Sequence, residues 1–132
     1  MRGTVLIVDD DDSVRNTTRL ALEREGYVVL AASDGQQAIA LMYTGDTAHE
    51  VCALLCDLEM PNASGKEVID HFRLHFPSIP IIVLSGASDE VYLDGITQEG
   101  VYDWLRKPFT RETLVGKVRI ASNLFALRQE GR

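Results

Sequence analysis

The 132-residue chain lacks the cysteine content of a disulfide-stapled protein, since it has only two cysteines. If Cys52 and Cys56 share a strand, their Cα atoms lie ~13 Å apart, beyond the ~7 Å limit for a disulfide. We therefore expect two buried, reduced thiols and a cytoplasmic location.

Long apolar runs and an excess of positive charge are also missing. The run at residues 51–56 is far shorter than the ~20 apolar residues that cross a bilayer. The brief run at 5–8 is too short for the core of a signal peptide. Thirteen Lys and Arg against twenty Asp and Glu give a net charge of −7. This charge disfavours nonspecific binding to nucleic acid and adhesion to anionic membranes, so we expect neither.

The composition is that of one globular domain, with 45% hydrophobic and 25% charged residues. Short apolar runs alternate with helical patterns along the chain. Strands are predicted at 5–8, 27–32, 51–56, 81–84 and 102–105, and helices at 13–25, 36–43, 65–76, 89–99 and 110 to about 128. This alternation predicts βαβ units in a parallel sheet that helices bury on both faces. We assign residues 1–122 to the domain, and 123–132 to the end of the last helix and a tail or truncated linker.

Polar residues follow four of the predicted strands. Aspartates 9–12 come after the first strand, Asp57 after the third, Ser85 after the fourth and Lys107 after the fifth. Ligands of open parallel sheets bind at these carboxyl ends. The last two of the four aspartates are expected to cap the following helix. Capping does not explain Asp57, because a carboxylate at the end of a buried strand costs free energy unless it is paired or binds a metal.

The charges at these strand ends indicate phosphoryl chemistry. Carboxylates of Asp9, Asp10 and Asp57 at 4 Å would repel by about 4 kcal/mol per pair at an effective dielectric of 20. A hard cation such as Mg²⁺ removes this repulsion. With Lys107 it could balance the oxygens of a transferring phosphoryl group, and one carboxylate could carry that group covalently.

Five short motifs surround these residues in a fixed order. They are VLIVDD at 5–10, LCDLEMP at 55–61 with Gly65, IVLSG at 82–86, GVYDW at 100–104 and KPF at 107–109. Over residues ~4 to ~122 the chain resembles a receiver domain of the response regulators of two-component (phosphorelay) signal transduction. The resemblance implies a doubly wound, five-stranded α/β fold of flavodoxin type, (βα)5, with strand order 2-1-3-4-5.

The resemblance implies a phosphoacceptor and a magnesium site. Asp57 would be the acceptor, and Asp10 and Asp57 would ligate Mg²⁺ through their side chains. Glu59 would add its backbone carbonyl, and Asp9 would hold the ion mainly through water.

The resemblance also implies roles for the residues after the fourth and fifth strands. Lys107 would pair with the phosphoryl oxygens, and Ser85 would hydrogen-bond them and move toward them on activation. The peptide before Pro108 is expected to be cis. Trp104 stands where a Tyr or Phe switch residue is usual, so both a switch role and simple packing on the last helix remain open.

The implied function is that of a signalling phosphoacceptor, which catalyses only its own phosphorylation and dephosphorylation. The donor would be a sensor histidine kinase or a histidine phosphotransfer protein. An output domain or downstream protein would bind the face formed by the helix at 89–99, the fifth strand and the last helix. Whether two copies pair through the face that bears the helix at 89–99 is left open by the sequence. The chain is either a free-standing receiver or one cut from a larger regulator or hybrid kinase.

Three alternatives belong to other classes of function. Residues 5–13 also resemble the first motif of haloacid-dehalogenase-type phosphatases, with Asp9 and Asp11 as the paired acids. That family needs a further acidic pair after its lysine, and no aspartate follows Lys107. A flavodoxin-type flavin site is disfavoured by four aspartates where N–H donors are needed. The third alternative is a receiver-like interaction module that is not phosphorylated.

Two smaller predictions concern helix surfaces. Leu20 is expected to point outward from the first helix, whose inner face is predicted to carry Val14, Thr17, Thr18 and Ala21. His71 and His75 have the i, i+4 spacing of a metal-binding pair, but no third ligand is evident. We expect both histidines to be exposed and without function.

Overall fold

The computed structural model describes residues 2–45, 47–58, 60, 64–86 and 101–130. The elements in chain order are β1 (Thr4–Val8), α1 (Asp12–Arg24), β2 (Val28–Ala32), α2 (Gly35–Leu41), α3 (Thr47–Glu50), β3 (Val51–Asp57), α4 (Gly65–His75), β4 (Ile81–Ser85), β5 (Asp103–Arg106) and α5 (Arg111–Glu130). The single turn α3 was not predicted. The helix predicted at 89–99 lies outside the described residues.

The described strands form one parallel sheet in the order β2-β1-β3-β4-β5, which confirms the predicted topology. Val8 pairs with Cys56 across β1 and β3, and Asp57 pairs with Leu84 across β3 and β4. The central strands therefore finish side by side at one edge of the sheet. We call this edge the carboxyl end and the opposite edge the amino end.

Burial separates the central strands from the outer ones. Every residue of β1, β3 and β4 is buried, as their unbroken apolar runs predict. The expectation of burial on both faces is wrong for β2 and β5, where Val28 is 41% and Trp104 45% exposed. An outer strand has a neighbour on one side only, so less of its surface is covered within the sheet.

Two hydrophobic cores lie on opposite faces of the sheet. One contains buried side chains of α2 and α4, such as Ala38 and Phe72, and the other contains side chains of α1 and α5, such as Leu22 and Leu114. The predicted inner face of α1 was partly wrong, because Thr17 is exposed and Leu22 is fully buried. Leu20 is 49% exposed, as predicted.

Side-chain caps begin the helices that start at the carboxyl end. Asp11 Oδ1 accepts hydrogen bonds from the backbone N–H of Ser13 at 2.9 Å and of Val14 at 3.2 Å, which is the predicted N-cap of α1. Gly26, with φ +96°, follows the end of α1 as expected. The stop predicted for the second helix at Gly45 is wrong, because α2 ends at Leu41.

Candidate functional site

Three aspartates meet at the carboxyl end of β1 and β3. One carboxylate oxygen from each of Asp9, Asp10 and Asp57 lies within 4.8 Å of the other two. Asp9 and Asp57 are buried, and Asp10 is exposed to solvent. We call these three residues the acid pocket. They come together because β1 and β3 are neighbours in the sheet and end at the same level.

Lys107 lies in the loop after β5 and spans the two buried carboxylates. Its Nζ is 2.9 Å from Asp9 Oδ2 and 3.4 Å from Asp57 Oδ2. Its backbone N–H donates to the carbonyl oxygen of Ser85 at 2.7 Å, and the Lys107–Pro108 peptide is cis. Lys107 is therefore paired with two members of the acid pocket.

One ammonium group does not balance the acid pocket. Burial, and after it the Asp9 carboxylate, raise the pKa of Asp57 to about 7, although Lys107 acts in the opposite direction. Burial works to lower the pKa of Lys107, but its contacts with Asp9 and Asp57 outweigh burial and leave that pKa above its usual value. The folded protein thus holds ionised Asp57 at a cost when no further positive charge is present.

The acid pocket has the chemistry of a hard-cation site. Its donors are carboxylate oxygens, which Mg²⁺ and Ca²⁺ prefer, and Asp10 keeps one side open to solvent. Three carboxylates against one ammonium leave a net negative charge that a divalent cation would offset. The residues therefore fit Mg²⁺. Glu59, the fourth expected ligand, lies outside the described residues.

Ser85 ends β4 and is completely buried. Its hydroxyl makes no hydrogen bond with any residue that the structure describes. A buried hydroxyl without a partner costs free energy, on the order of 1–3 kcal/mol. Ser85 follows Leu84, the residue paired with Asp57, so the orphaned donor lies one strand away from the acid pocket.

The start of α4 packs directly against the backbone that carries Asp57. A Cβ atom on Gly65 would lie 2.2 Å from the carbonyl oxygen of Asp57 and 2.6 Å from the Cα of Leu58. The Gly65 N–H donates to the carbonyl of Leu58 at 3.0 Å. Only glycine permits this approach. The sequence placed Gly65 in a motif, but its steric role became visible only with the packing.

A comparison with known protein families identifies the family to which this fold belongs. The family model of the response regulator receiver domain matches residues 5–119. The chain belongs to the response regulator receiver domain family. This confirms the resemblance of the five motifs, and it favours the receiver interpretation over the phosphatase and flavodoxin-type alternatives.

Relatives of this receiver domain include regulators and a kinase. It is 33% identical over 117 residues to the CAI-1 autoinducer sensor kinase/phosphatase CqsS of Vibrio cholerae, covering 86% of this chain and 16% of CqsS. It is 34% identical to the hydrogenase transcriptional regulatory protein HoxA of Cupriavidus necator (91% and 24% covered) and 34% identical to the transcriptional regulatory protein SrrA of Staphylococcus aureus (90% and 47%). The chain thus spans less than half the length of these curated relatives.

Solved structures show the same fold. A response regulator receiver domain protein from Clostridium thermocellum superposes with a TM-score of 0.88 at 25% identity, covering 95% of this receiver domain and 98% of that chain. NtrX from Brucella abortus superposes with a TM-score of 0.89 at 23% identity, covering 98% and 29%. No described helix of this receiver domain is long and apolar enough to span a membrane.

The two histidines of α4 differ from their prediction. His75 is exposed, but His71 is half-buried, and its Nε2 lies 2.8 Å from the hydroxyl of Tyr43. The ring centroids of His71 and His75 are 4.4 Å apart. Burial, and then the neighbouring His75, lower the pKa of His71. The expectation that both are exposed failed because Tyr43, from the loop after α2, covers this part of α4.

The cysteines behave as predicted. Cys52 and Cys56 are free and buried. Burial raises the pKa of Cys52 to about 11 and that of Cys56 still higher, with the Asp57 charge adding to the effect at Cys56. Neither thiol is therefore a ready nucleophile, although Cys56 precedes Asp57 in the chain.

Proposed function

We propose that this receiver domain accepts a phosphoryl group on Asp57 from a phosphohistidine donor, in the presence of Mg²⁺, and thereby switches a surface that a partner reads. The observation that carries the proposal is the buried Asp57 carboxylate, set against Asp9 and Asp10 and reached by Lys107. A structural ion pair needs one acid, whereas this pocket gathers three.

The magnesium ion would be held by the acid pocket together with the backbone carbonyl of Glu59. When bound, it supplies positive charge to the carboxylates and to the oxygens of the incoming phosphoryl group. Asp10 is the open member of the pocket, and Asp9 is committed to Lys107 and to the backbone of Asp11. This difference supports direct ligation by Asp10 and a water-mediated role for Asp9.

Asp57 would act as the nucleophile. A carboxylate oxygen forms the new P–O bond while the P–N bond of phosphohistidine breaks, and that electron pair stays on the imidazole nitrogen of the donor. The attacking group must be ionised, and burial and the Asp9 carboxylate oppose this by raising the pKa of Asp57. Added positive charge at this position therefore favours the reactive form.

Lys107 and Ser85 would hold the product. The Lys107 ammonium, 3.4 Å from Asp57 Oδ2, is close enough to pair with an oxygen of a group attached there. The buried Ser85 hydroxyl lacks a partner among the described residues, so it is available to donate to a second oxygen. Both contacts appear only after phosphorylation, which is what a switch requires.

The change at the partner-binding surface would follow from the contacts that the phosphoryl group displaces. A phosphoryl group adds about −1.5 to −2 charge and three acceptor oxygens. It competes with Asp9 for Lys107, in the loop directly after β5. Shifting a 1:99 equilibrium to 99:1 needs ~5.5 kcal/mol of differential interaction, to which Ser85 and Lys107 would contribute. We propose that the surface of the 89–99 region, β5 and α5 responds.

The partners follow from the same proposal. They are a sensor histidine kinase or a histidine phosphotransfer protein as donor, and an output domain or downstream protein as reader, in the cytoplasm. Exposed Trp104, on β5, belongs to the responding surface. A second copy of the chain could pair through this surface too.

Intact-mass analysis after incubation with acetyl phosphate and Mg²⁺ tests the acceptor. We expect a species about 80 Da heavier in the wild type, absent from Asp57→Asn and absent when EDTA replaces Mg²⁺. Asp70→Asn is the matched control, because Asp70 is an exposed acid paired with Lys66 on α4. An unmodified wild type would favour the unphosphorylated interaction module, and an adduct retained in Asp57→Asn would name another acceptor.

A further inference from the structure

Arg15 reaches back from α1 over the loop that carries the aspartates. Its Nη1 donates to the backbone carbonyl oxygen of Asp9 at 2.8 Å, and its Nη2 pairs with the carboxylate of Asp12. The Arg15 side chain is 17% exposed. Four other ion-paired arginines, at positions 19, 73, 111 and 119, are 37–49% exposed. The Arg15 side chain is thus more buried than those of the surface arginines.

The bond from Arg15 completes the anchoring of Asp9. The Asp9 N–H donates to the Ala32 carbonyl at 3.2 Å, and its Oδ1 accepts from the Asp11 N–H at 2.9 Å. Its Oδ2 lies 2.9 Å from Lys107 Nζ. The carbonyl held by Arg15 is the remaining polar atom of Asp9, so each polar atom of this buried residue has a hydrogen bond or, at Oδ2, an ion pair.

That carbonyl belongs to the peptide that joins Asp9 to Asp10. A peptide unit is planar, so fixing its oxygen also fixes the direction in which the chain enters Asp10. Asp10 is exposed, so packing confines its side chain less than that of the buried Asp9. The orientation of the peptide before it is therefore the structural means of presenting its carboxylate to the acid pocket.

We propose that Arg15 is a positioning residue for the magnesium site, acting through the Asp9–Asp10 peptide without touching the ion. The inference rests on the proposed function. Its alternative is that Arg15 acts only as a nearby positive charge. The two roles predict opposite changes in Mg²⁺ affinity when Arg15 is removed. Deleting a positive charge near a cation site strengthens cation binding, whereas deleting a positioning bond weakens it.

A lysine at this position separates the two roles further. Arginine spans two acceptors with its fork, here the Asp9 carbonyl and the Asp12 carboxylate, while a lysine ammonium is a single point of contact. Arg15→Lys keeps the charge and gives up the fork. The expected order of Mg²⁺ affinity is wild type, then Arg15→Lys, then Arg15→Ala.

The test is a Mg²⁺ titration followed by amide chemical shifts, without a phosphodonor. We expect the dissociation constant to rise ~10-fold in Arg15→Ala and by a smaller factor in Arg15→Lys. Arg19→Ala is the control, since Arg19 pairs with Glu23 on the solvent side of α1, and we expect a change below ~2-fold. In the metal-free protein, the Asp11 N–H should exchange faster in Arg15→Ala than in Arg19→Ala.

Each outcome decides the proposal. Unchanged or tighter binding in Arg15→Ala overturns it, and so does weakening of equal size in Arg19→Ala. If Arg15→Ala does not fold, Arg15→Lys carries the same comparison, with wild-type affinity overturning the proposal. A wild type that binds no Mg²⁺ would instead overturn the magnesium part of the proposed function, and the inference with it. Normal binding in every variant would overturn the Arg15 role alone.

Discussion

The two ends of the same sheet are stabilised in different ways. At the carboxyl end, polar groups are buried with incomplete compensation: Asp57 has its pKa raised to about 7, and Ser85 has no hydrogen-bond partner among the described residues. At the amino end lies an aromatic cluster of Tyr43, His71, Phe72, His75 and Phe76. There the Phe72 and Phe76 ring centroids are 5.3 Å apart, and Tyr43 and Phe76 are 5.7 Å apart.

This difference follows from the topology. Strands of a parallel sheet end at one edge, and the helices that return the chain end at the other. Side chains of the loops after β1, β3 and β5 therefore meet at the carboxyl end, where ligands bind in such folds. The last turns of the helices meet at the amino end, away from the edge where ligands bind. Aromatic contacts there add stability. Burying polar groups at the carboxyl end costs free energy of folding, and packing in the rest of the fold offsets that cost.

The largest effect that we predict breaks the carboxyl end. Gly65→Ala should destabilise the protein by about 3 kcal/mol, because the new methyl group would overlap the backbone of Asp57 and Leu58. Urea unfolding measures this loss. The Asp57 carboxylate would move with its backbone, so Mg²⁺ affinity should fall as well.

Gly116→Ala is the matched control for Gly65→Ala. Gly116 lies inside α5, and a Cβ atom there would meet nothing within 4 Å. The same substitution should therefore stabilise the protein by about 0.5–1 kcal/mol through helix propensity. Equal effects at both glycines would show that the close approach of α4 to β3 does not matter.

The second prediction concerns the cost of ionised Asp57. In EDTA at pH 8, Asp57→Asn should be more stable than the wild type, by roughly 2 kcal/mol. The folded-state pKa of Asp57, about 7, lies above its ordinary value of 3.8. The folded protein therefore takes up a proton where the unfolded chain does not, and wild-type stability rises as pH falls through 7. The advantage of Asp57→Asn should shrink accordingly toward pH 4.

Urea unfolding across this pH range measures the difference, with Asp70→Asn as the control. Asp70 is exposed, so its replacement should change stability by less than ~0.5 kcal/mol. Adding Mg²⁺ should stabilise the wild type more than Asp57→Asn. A wild type that is the more stable protein at pH 8 in EDTA would contradict the view that the carboxyl end is held at a cost.

The carboxyl end was predictable in outline from the sequence. Unbroken apolar runs predicted the central strands, and their shared edge brought Asp9, Asp57 and Lys107 together. Local predictions such as the N-cap at Asp11 were also confirmed. These features depend on one element at a time, or on the rule that parallel strands end at one edge, so pattern alone was enough.

Features that depend on contacts between elements could not be predicted. The bond from Arg15 to the Asp9 carbonyl, and the approach of Gly65 to Asp57, depend on how a helix start meets a strand end. His71 was expected to be exposed because its partner Tyr43 lies 28 positions away. The inner face of α1 was misassigned because its few large apolar residues gave a weak pattern, which left Leu22 unrecognised.

The smallest predicted effect probes the amino end. Tyr43→Phe removes the hydroxyl at His71 Nε2 but keeps the ring beside Phe76, and the bond is partly open to water, so we expect a loss of about 0.5–1 kcal/mol at pH 8. Burial holds the pKa of His71 below its usual value, so the imidazole is neutral at that pH.

Tyr102→Phe is the control, because the Tyr102 hydroxyl has no hydrogen bond to the described residues, and its loss of stability should be near zero. Mg²⁺ affinity should be unchanged in both variants, since the amino end stabilises the sheet without taking part in the chemistry at its opposite edge. A change in Mg²⁺ affinity in Tyr43→Phe would show instead that the two ends are coupled.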